Sequence, residues 1–327
     1  MSGAAFFFGR GHGMRNLPVL LLVTAVVIPS RLSAAEITHD FIAVDEGLGN
    51  VLHVDQLAHG HDWIVPVGHA RPRDLQLVGN GRLLISHDKG FAEYDLATGR
   101  RYFDCADYSN VSSARRLENG DTLVVYAILG EKMGVVVEEL DPKRRHVRTT
   151  RYPGDYVRLM RQTSEGTFLF GMNDRISEGD GKGSFIWTAK ADGFRHAWKA
   201  LRLRSGDTLA SGGYGAFMVE FAPDGRIVRR FGGAGQVPPD ISPHFYGTFQ
   251  LLENGDVVVP NWQGHGPGHG AAGVQLIEFN ERDQVVWRWS DRRTASSIQG
   301  VLILDGLDTS RPYDERRGTM EPLGAAH

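Results

Sequence analysis

Sulfur chemistry is nearly absent from this chain, which has one cysteine, Cys105. A lone cysteine excludes an internal disulfide, a CxxC redox centre and a cysteine-built zinc site. Cys105 therefore reads as a small apolar residue buried in a strand. A long basic run is missing too, and the net charge of −3 speaks against a nucleic-acid partner. There is no G-x-S-x-G, no P-loop and no G-x-G-x-x-G ahead of a helix. Hydrolase-elbow and nucleotide-binding readings thus find no support. The apolar run at 17–28 is about 12 residues, short of the ~20 that span a bilayer.

That run has a different meaning. Arg10 and Arg15 precede it and Ser33-Ala34-Ala35 follows, the succession of a secretory signal. Cleavage after Ala35 would remove three arginines and no acid, moving the charge from −3 to −6. The expectation is a protein secreted or periplasmic, with no stable membrane span after processing. Segment 1–35 is the signal, 36–310 the folded domain and 311–327 a tail.

What the chain has in excess is glycine, 41 of 327 residues, about 12.5% against an average of roughly 7%. The glycines punctuate a repeat of strand, tight turn and apolar strand: LQLVGNGRLLIS, RRLENGDTLVVY, MRQTSEGTFLFG, LRLRSGDTLASG and FQLLENGDVVVP. The turn glycines Gly81, Gly120, Gly166, Gly206 and Gly255 are 39, 46, 40 and 49 residues apart. A period in the forties with all-strand content marks propeller blades. A second hairpin follows each first one, with turns in DLATGRRYF, ELDPKRRHV, KADGF, FAPDGRIV and FNERDQVVW. Each blade then has strands a to d. The ends supply a sixth: SIQGVLILDG as a lone strand a, and FIAVDE, NVLHVD and DWIVPV as b, c and d. The fold expected is all-β, a six-bladed β-propeller closed by strands from both termini, which leaves no open edge. In the MRQTSEGTFLFG blade only 13 residues separate Gly193 from Gly206, so its strand d is expected to be truncated or absent.

The unit Asp95-Leu96-Ala97-Thr98-Gly99 with Phe103, and the closing Trp287, resemble the repeat of quinoprotein-type (PQQ-like) propellers. FQLLENGDVVV preceded by Pro243-His244 resembles repeats of the arylsulfotransferase propellers. The likeness covers about 270 residues and implies the fold, with His244 carried over as a catalytic histidine. Quinoprotein dehydrogenases have eight blades and often a vicinal cysteine pair. This chain has neither, so PQQ is not expected. Bacterial arylsulfotransferases carry an additional N-terminal β domain, whereas only 36–40 stand between the expected cleavage point and the first strand here.

In such blades the b–c and d–a loops share one face, and the longest loops here, 173–183, 232–246 and 261–273, all map to it. Binding residues concentrate on long loops held by a rigid scaffold. His69, His87, His196, His244, His265 and His269 fall in or beside these loops. Three imidazoles, His244, His265 and His269, could hold a divalent transition metal, or could be hydrogen-bonded loop residues. Trp262, Tyr246, Tyr214 and Tyr126, with Arg71, Arg73, Arg115, Lys89 and Arg175, suit a sugar or an anionic ligand. Packing between blades is the alternative for the tyrosines, and outward snorkelling for the arginines. Asp174, Glu178 and Asp180 offer oxygen donors for calcium without EF-hand spacing.

Three readings follow. The first is binding of an extracellular or periplasmic small molecule or polysaccharide, carbohydrate or otherwise anionic, with Trp262, Tyr246, Tyr214, Arg73 and Lys89 as contacts. The second is an enzyme on the same face, a polysaccharide lyase or sulfotransferase, with His244 as base or nucleophile and Arg115 neutralising an anion. The third is a protein-interaction scaffold. Imidazole chemistry at its ordinary pKa would make the site respond between about pH 5 and 8.

Overall fold

A computed structural model describes Gly9 and residues 36–324; apart from Gly9, the segment expected to be a signal lies outside the described residues. Six antiparallel sheets of four propeller strands each form the blades, and their order along the chain closes a ring. Blade 1 joins strand Ile298–Ile303 to Asp40–Asp45, Asn50–Asp55 and Trp63–Pro66. Its register pairs Phe41 with Ile303 and Ala43 with Val301, so the two ends of the chain form one blade. Blades 2 to 6 have strands a at Leu75–Gly79, Val111–Arg116, Met160–Gln162, Ala200–Arg202 and Gln250–Leu251.

Composition dictates where each strand lies. Inner strands pack between neighbouring blades on both faces, so they read as continuous apolar runs: Leu83-Leu84-Ile85, Val135-Val136-Val137 and Val257-Val258-Val259 are all buried. Outermost strands meet solvent on one face and alternate, as in Phe185–Ala189. The Asn80-Gly81 turn has φ of 53° and 62°, a two-residue hairpin turn whose backbone favours asparagine and glycine. Cys105 ends strand d of blade 2 and is buried.

Two segments differ from the sequence expectation. The blade that begins at Met160–Gln162 has a complete strand d, Phe185–Ala189, and its c–d turn is at 180–184. KADGF belongs to the following d–a connection, and 173–183 is not an insertion but contains strand c, Ile176–Gly179. That strand escapes notice because its Ser177 and Glu178 are polar; Thr188, Thr167 and Arg202 satisfy them.

The second is the segment taken as a tail. Tyr313–Arg317 and Thr319–Pro322 form a hairpin, attached to blade 6 through Leu251 and Thr319. It lies across the a–b turns, where Asn80 and Ser164 donate backbone hydrogen bonds to Ser310 and Arg316. Its acidic residues enter the channel. Asp314 pairs with Arg115 at 2.5 Å, and Glu315 pairs with Lys199 at 2.6 Å and Arg161 at 2.7 Å. Arg161 also meets Asp74 at 2.7 Å. Burial opposes the charge on Glu315, but Lys199, Arg161 and Arg115 overcome it and pull its pKa down to about 2.

Candidate functional site

The opposite end of the channel is built by the start of each strand a. Counting back from the turn glycines, the residue eight positions earlier is Arg73, Ser112, Arg158, Trp198 or Gly247. Equivalent positions in a ring of blades face one another, and three of these side chains meet. The guanidinium groups of Arg73 and Arg158 lie 5.8 and 5.1 Å from the Trp198 ring centre, and Arg158 is also 4.0 Å from that of Tyr156. Ten positions before the glycine stand Arg71, Asn110, Tyr156, His196 and Phe245. Arg71, Asn110 and His196 share a left-handed backbone, with φ of 57°, 58° and 59°. A non-glycine residue there stores ~1 kcal/mol or more of strain, a pattern concentrated at functional sites.

The electrostatics are unusual. Arg73 is 8% exposed and has no ion-pair partner among the described residues. Burial, then the fields of Arg158 and Arg71, lower its pKa to about 9. Arg158 is lowered by burial and by Arg71 as well. Four buried polar atoms here find no hydrogen-bond partner: Nε of Arg73, Nε of Arg158, the Tyr156 hydroxyl and Nε1 of Trp198. Such groups are rare in folded proteins and call for an explanation.

An aromatic wall continues the site. Tyr214 packs 5.4 Å from His196, 4.8 Å from Phe245 and 6.1 Å from Trp262, with Arg195 4.8 Å over its ring. His244 is stacked 6.1 Å from Trp262. Burial, with Arg158 and Arg195 adding to it, lowers His196 to about 4. Burial, His269 and Arg195 lower His244 too. His196 therefore titrates below the pH 5–8 window expected of free histidines, and His244 is shifted in the same direction. Trp262 donates to Glu46 at 3.2 Å, and Nδ1 of His265 lies 2.8 Å from the same carboxylate. Nε2 of His269 meets the His265 carbonyl at 3.0 Å.

The candidates from sequence thus divide. Arg73, Tyr214, Trp262 and His244 gather at the mouth, with His265 and His269 beside them. The three histidines cluster about Trp262, yet they do not form a set of converging ligand atoms; the one such cluster among the described residues lies elsewhere. Tyr246 is fully buried, its hydroxyl bonded to the Gly232 carbonyl at 2.6 Å, and belongs to the blade core. Lys89 is exposed in the two-residue b–c turn of blade 2. Arg115 is in the channel, tied to Asp314 of the hairpin, and does not join His244. Tyr126 bonds Glu138, away from the mouth. The calcium candidates separate: Asp174 pairs with Lys190 and Arg175, Glu178 with Arg202, and Asp180 holds the c–d turn amides. Arg158, Tyr156, Trp198 and Glu46 complete the site. Aligning the repeats on their turn glycines would have found the first three.

No family model and no curated protein matches the sequence. Solved structures do match. A protein of unknown function from Bacteroides caccae is 21% identical, with a TM-score of 0.68 over 82% of this chain and 99% of that one. A streptogramin B lyase is 11% identical, with a TM-score of 0.52, covering 82% of this chain and 95% of its own. A catalytically inactive histidine-to-alanine variant of virginiamycin B lyase from Staphylococcus aureus, with quinupristin, is 13% identical at a TM-score of 0.50, over 79% and 86%. The shared feature is the β-propeller fold. At these identities a likeness carries architecture and leaves activity to the site itself.

Proposed function

We propose that this protein is exported and binds, at the channel mouth, a ligand bearing an oxyanion on a sugar or aromatic frame. The single observation behind this reading is the pair Arg73, buried, and Arg158, partly buried, neither of them ion-paired to a carboxylate among the described residues, with four orphaned polar atoms at the site. A carboxylate, sulfate or phosphate supplies both the charge and the acceptors that the site lacks. Trp198, Tyr156, Tyr214 and Trp262 then offer faces to the remainder of the ligand. Export rests on the basic, apolar and small-residue succession of the first 35 residues.

The test is binding of sulfated and uronic-acid oligosaccharides, with inorganic sulfate as a competitor, by calorimetry on the mature protein. Binding of an anionic oligosaccharide that falls at least about tenfold in Arg158→Ala and is competed by sulfate supports the proposal. Equal binding of neutral and anionic sugars, or none at all, rejects it.

A second reading has its own observation. His196 and His244 are held neutral at pH 7 beside cationic side chains, the state a general base requires. The streptogramin and virginiamycin B lyases share the fold, and the latter has a variant inactivated at a histidine. On this reading His244 removes a proton from a substrate whose anion Arg73 and Arg158 stabilise, and the electron pair left behind forms the double bond as the β substituent departs with its own bonding pair. Formation of an unsaturated product by the wild type and its loss in His244→Ala would separate turnover from binding alone.

A further inference from the structure

We propose that His69, His87 and Asp104 bind a divalent transition-metal ion of the zinc class, away from the mouth, on blade 2. The three residues come from different elements: the connection from blade 1, the end of strand b and strand d. Nε2 of His69 lies 2.8 Å from Asp104 Oδ2, and Nε2 of His87 lies 3.1 Å from Oδ1. All three donor atoms fall within 4.8 Å of one another. The two imidazoles stack 4.2 Å apart at 17°, presenting both nitrogens to one side of a single carboxylate.

Two nitrogens and one carboxylate oxygen suit zinc, cobalt, nickel or iron(II), whereas magnesium and calcium prefer all-oxygen sets. The site also has an outer shell. Arg101 is 3.1 Å from Asp104 Oδ2, the oxygen that also meets His69, and donates to the Val67 carbonyl at 3.0 Å, which orients the carboxylate. Coordination through Nε2 puts the His87 proton on Nδ1, so the 3.3 Å contact from the Lys89 amide must open. That amide belongs to an exposed two-residue turn, where such a change is small.

The repeat argues against a purely scaffolding role. Six positions after the turn glycine, where blade 2 buries His87 completely, the other blades carry Tyr126, Met172, Gly212 and Asn261. The blade needs no imidazole there.

The experiment uses the mature protein dialysed against chelator and titrated with cobalt(II), then with competing zinc. Visible absorption and metal analysis are followed in the wild type, His69→Ala, Asp104→Asn and His265→Ala. One ion per chain is expected in the wild type and in His265→Ala, with affinity lowered at least about tenfold in the other two. His69 and Asp104 are partly exposed, so these variants avoid the packing loss that His87→Ala would bring. No saturable uptake by the wild type overturns the proposal, and so does uptake unchanged in both His69→Ala and Asp104→Asn.

Discussion

The two ends of the channel hold the same kind of side chain in opposite conditions. At the hairpin end, Arg115, Arg161 and Lys199 face Asp74, Asp314 and Glu315, three cations against three carboxylates. At the mouth, Arg73 and Arg158 face aromatic rings, with neither ion-paired among the described residues; the one carboxylate at the site, Glu46, is engaged by Trp262 and His265. Desolvating a charge costs several kcal/mol, and only a partner in good geometry offsets it. The closed end is therefore structure. The open end is destabilising by itself, and a protein keeps such a site when a ligand completes it.

The largest way to break this contrast is at Glu315. Glu315→Gln leaves Lys199 and Arg161 buried without their shared anion, and should cost about 3–5 kcal/mol in denaturant unfolding. A loss below about 1 kcal/mol would mean that water or chloride already serves the cations. Arg73→Met should act in the opposite direction, stabilising the free protein by about 1–2 kcal/mol while abolishing binding of the anionic oligosaccharide. Destabilisation by that substitution would show that Arg73 is a packing residue.

A smaller effect concerns His39, which lies 2.5 Å from Asp305 and 3.1 Å from Glu278. Burial disfavours its charge, but the hydrogen bonds to Asp305 and Glu278 outweigh this and raise its pKa from 6.5 to about 9. A raised folded pKa stabilises fully below 6.5, and the contribution disappears as pH climbs through about 9. Stability should thus fall over that interval, and His39→Gln should flatten the slope. Smallest of all is the pH response of the mouth. With His196 at about 4 and His244 also lowered, anion binding should change little between about pH 6 and 8. A strong increase on acidification through pH 6 would place a charged imidazole on the ligand.

Much of the ring was legible because hairpin turns need glycine and buried strands need apolar runs, signals that local sequence carries. The closing strand Ile298–Ile303 was found as a lone strand a that complements the three N-terminal strands b, c and d. The hairpin was not, because Tyr313-Asp314-Glu315-Arg316-Arg317 reads as a solvated charge run. Its burial is decided by cations that reach it from Arg115, Arg161 and Lys199, far away in sequence. Tyr246 was misplaced for a similar reason: its position in a long connection suggested solvent, while the Gly232 carbonyl made burial of its hydroxyl cheap. Tyr214, Trp262 and Arg73 were picked out by residue type and by their place in the long loops or beside strand a. Arg158 and Trp198 were missed because nothing local separates a channel-facing side chain from its neighbours. Only superposing the blades does so.

Ring closure has a temporal consequence. Asp45 accepts hydrogen bonds from the amides of Ser296 and Ser297, contacts that span 251 and 252 residues. The first blade cannot be completed until nearly the whole chain is available, and the hairpin that neutralises the channel comes later still. Contacts of such separation form slowly, since loop closure precedes any reward from pairing. A nascent chain of this design stays open throughout its synthesis. For the export proposed above, that delay would leave the ring unclosed while the chain crosses a membrane.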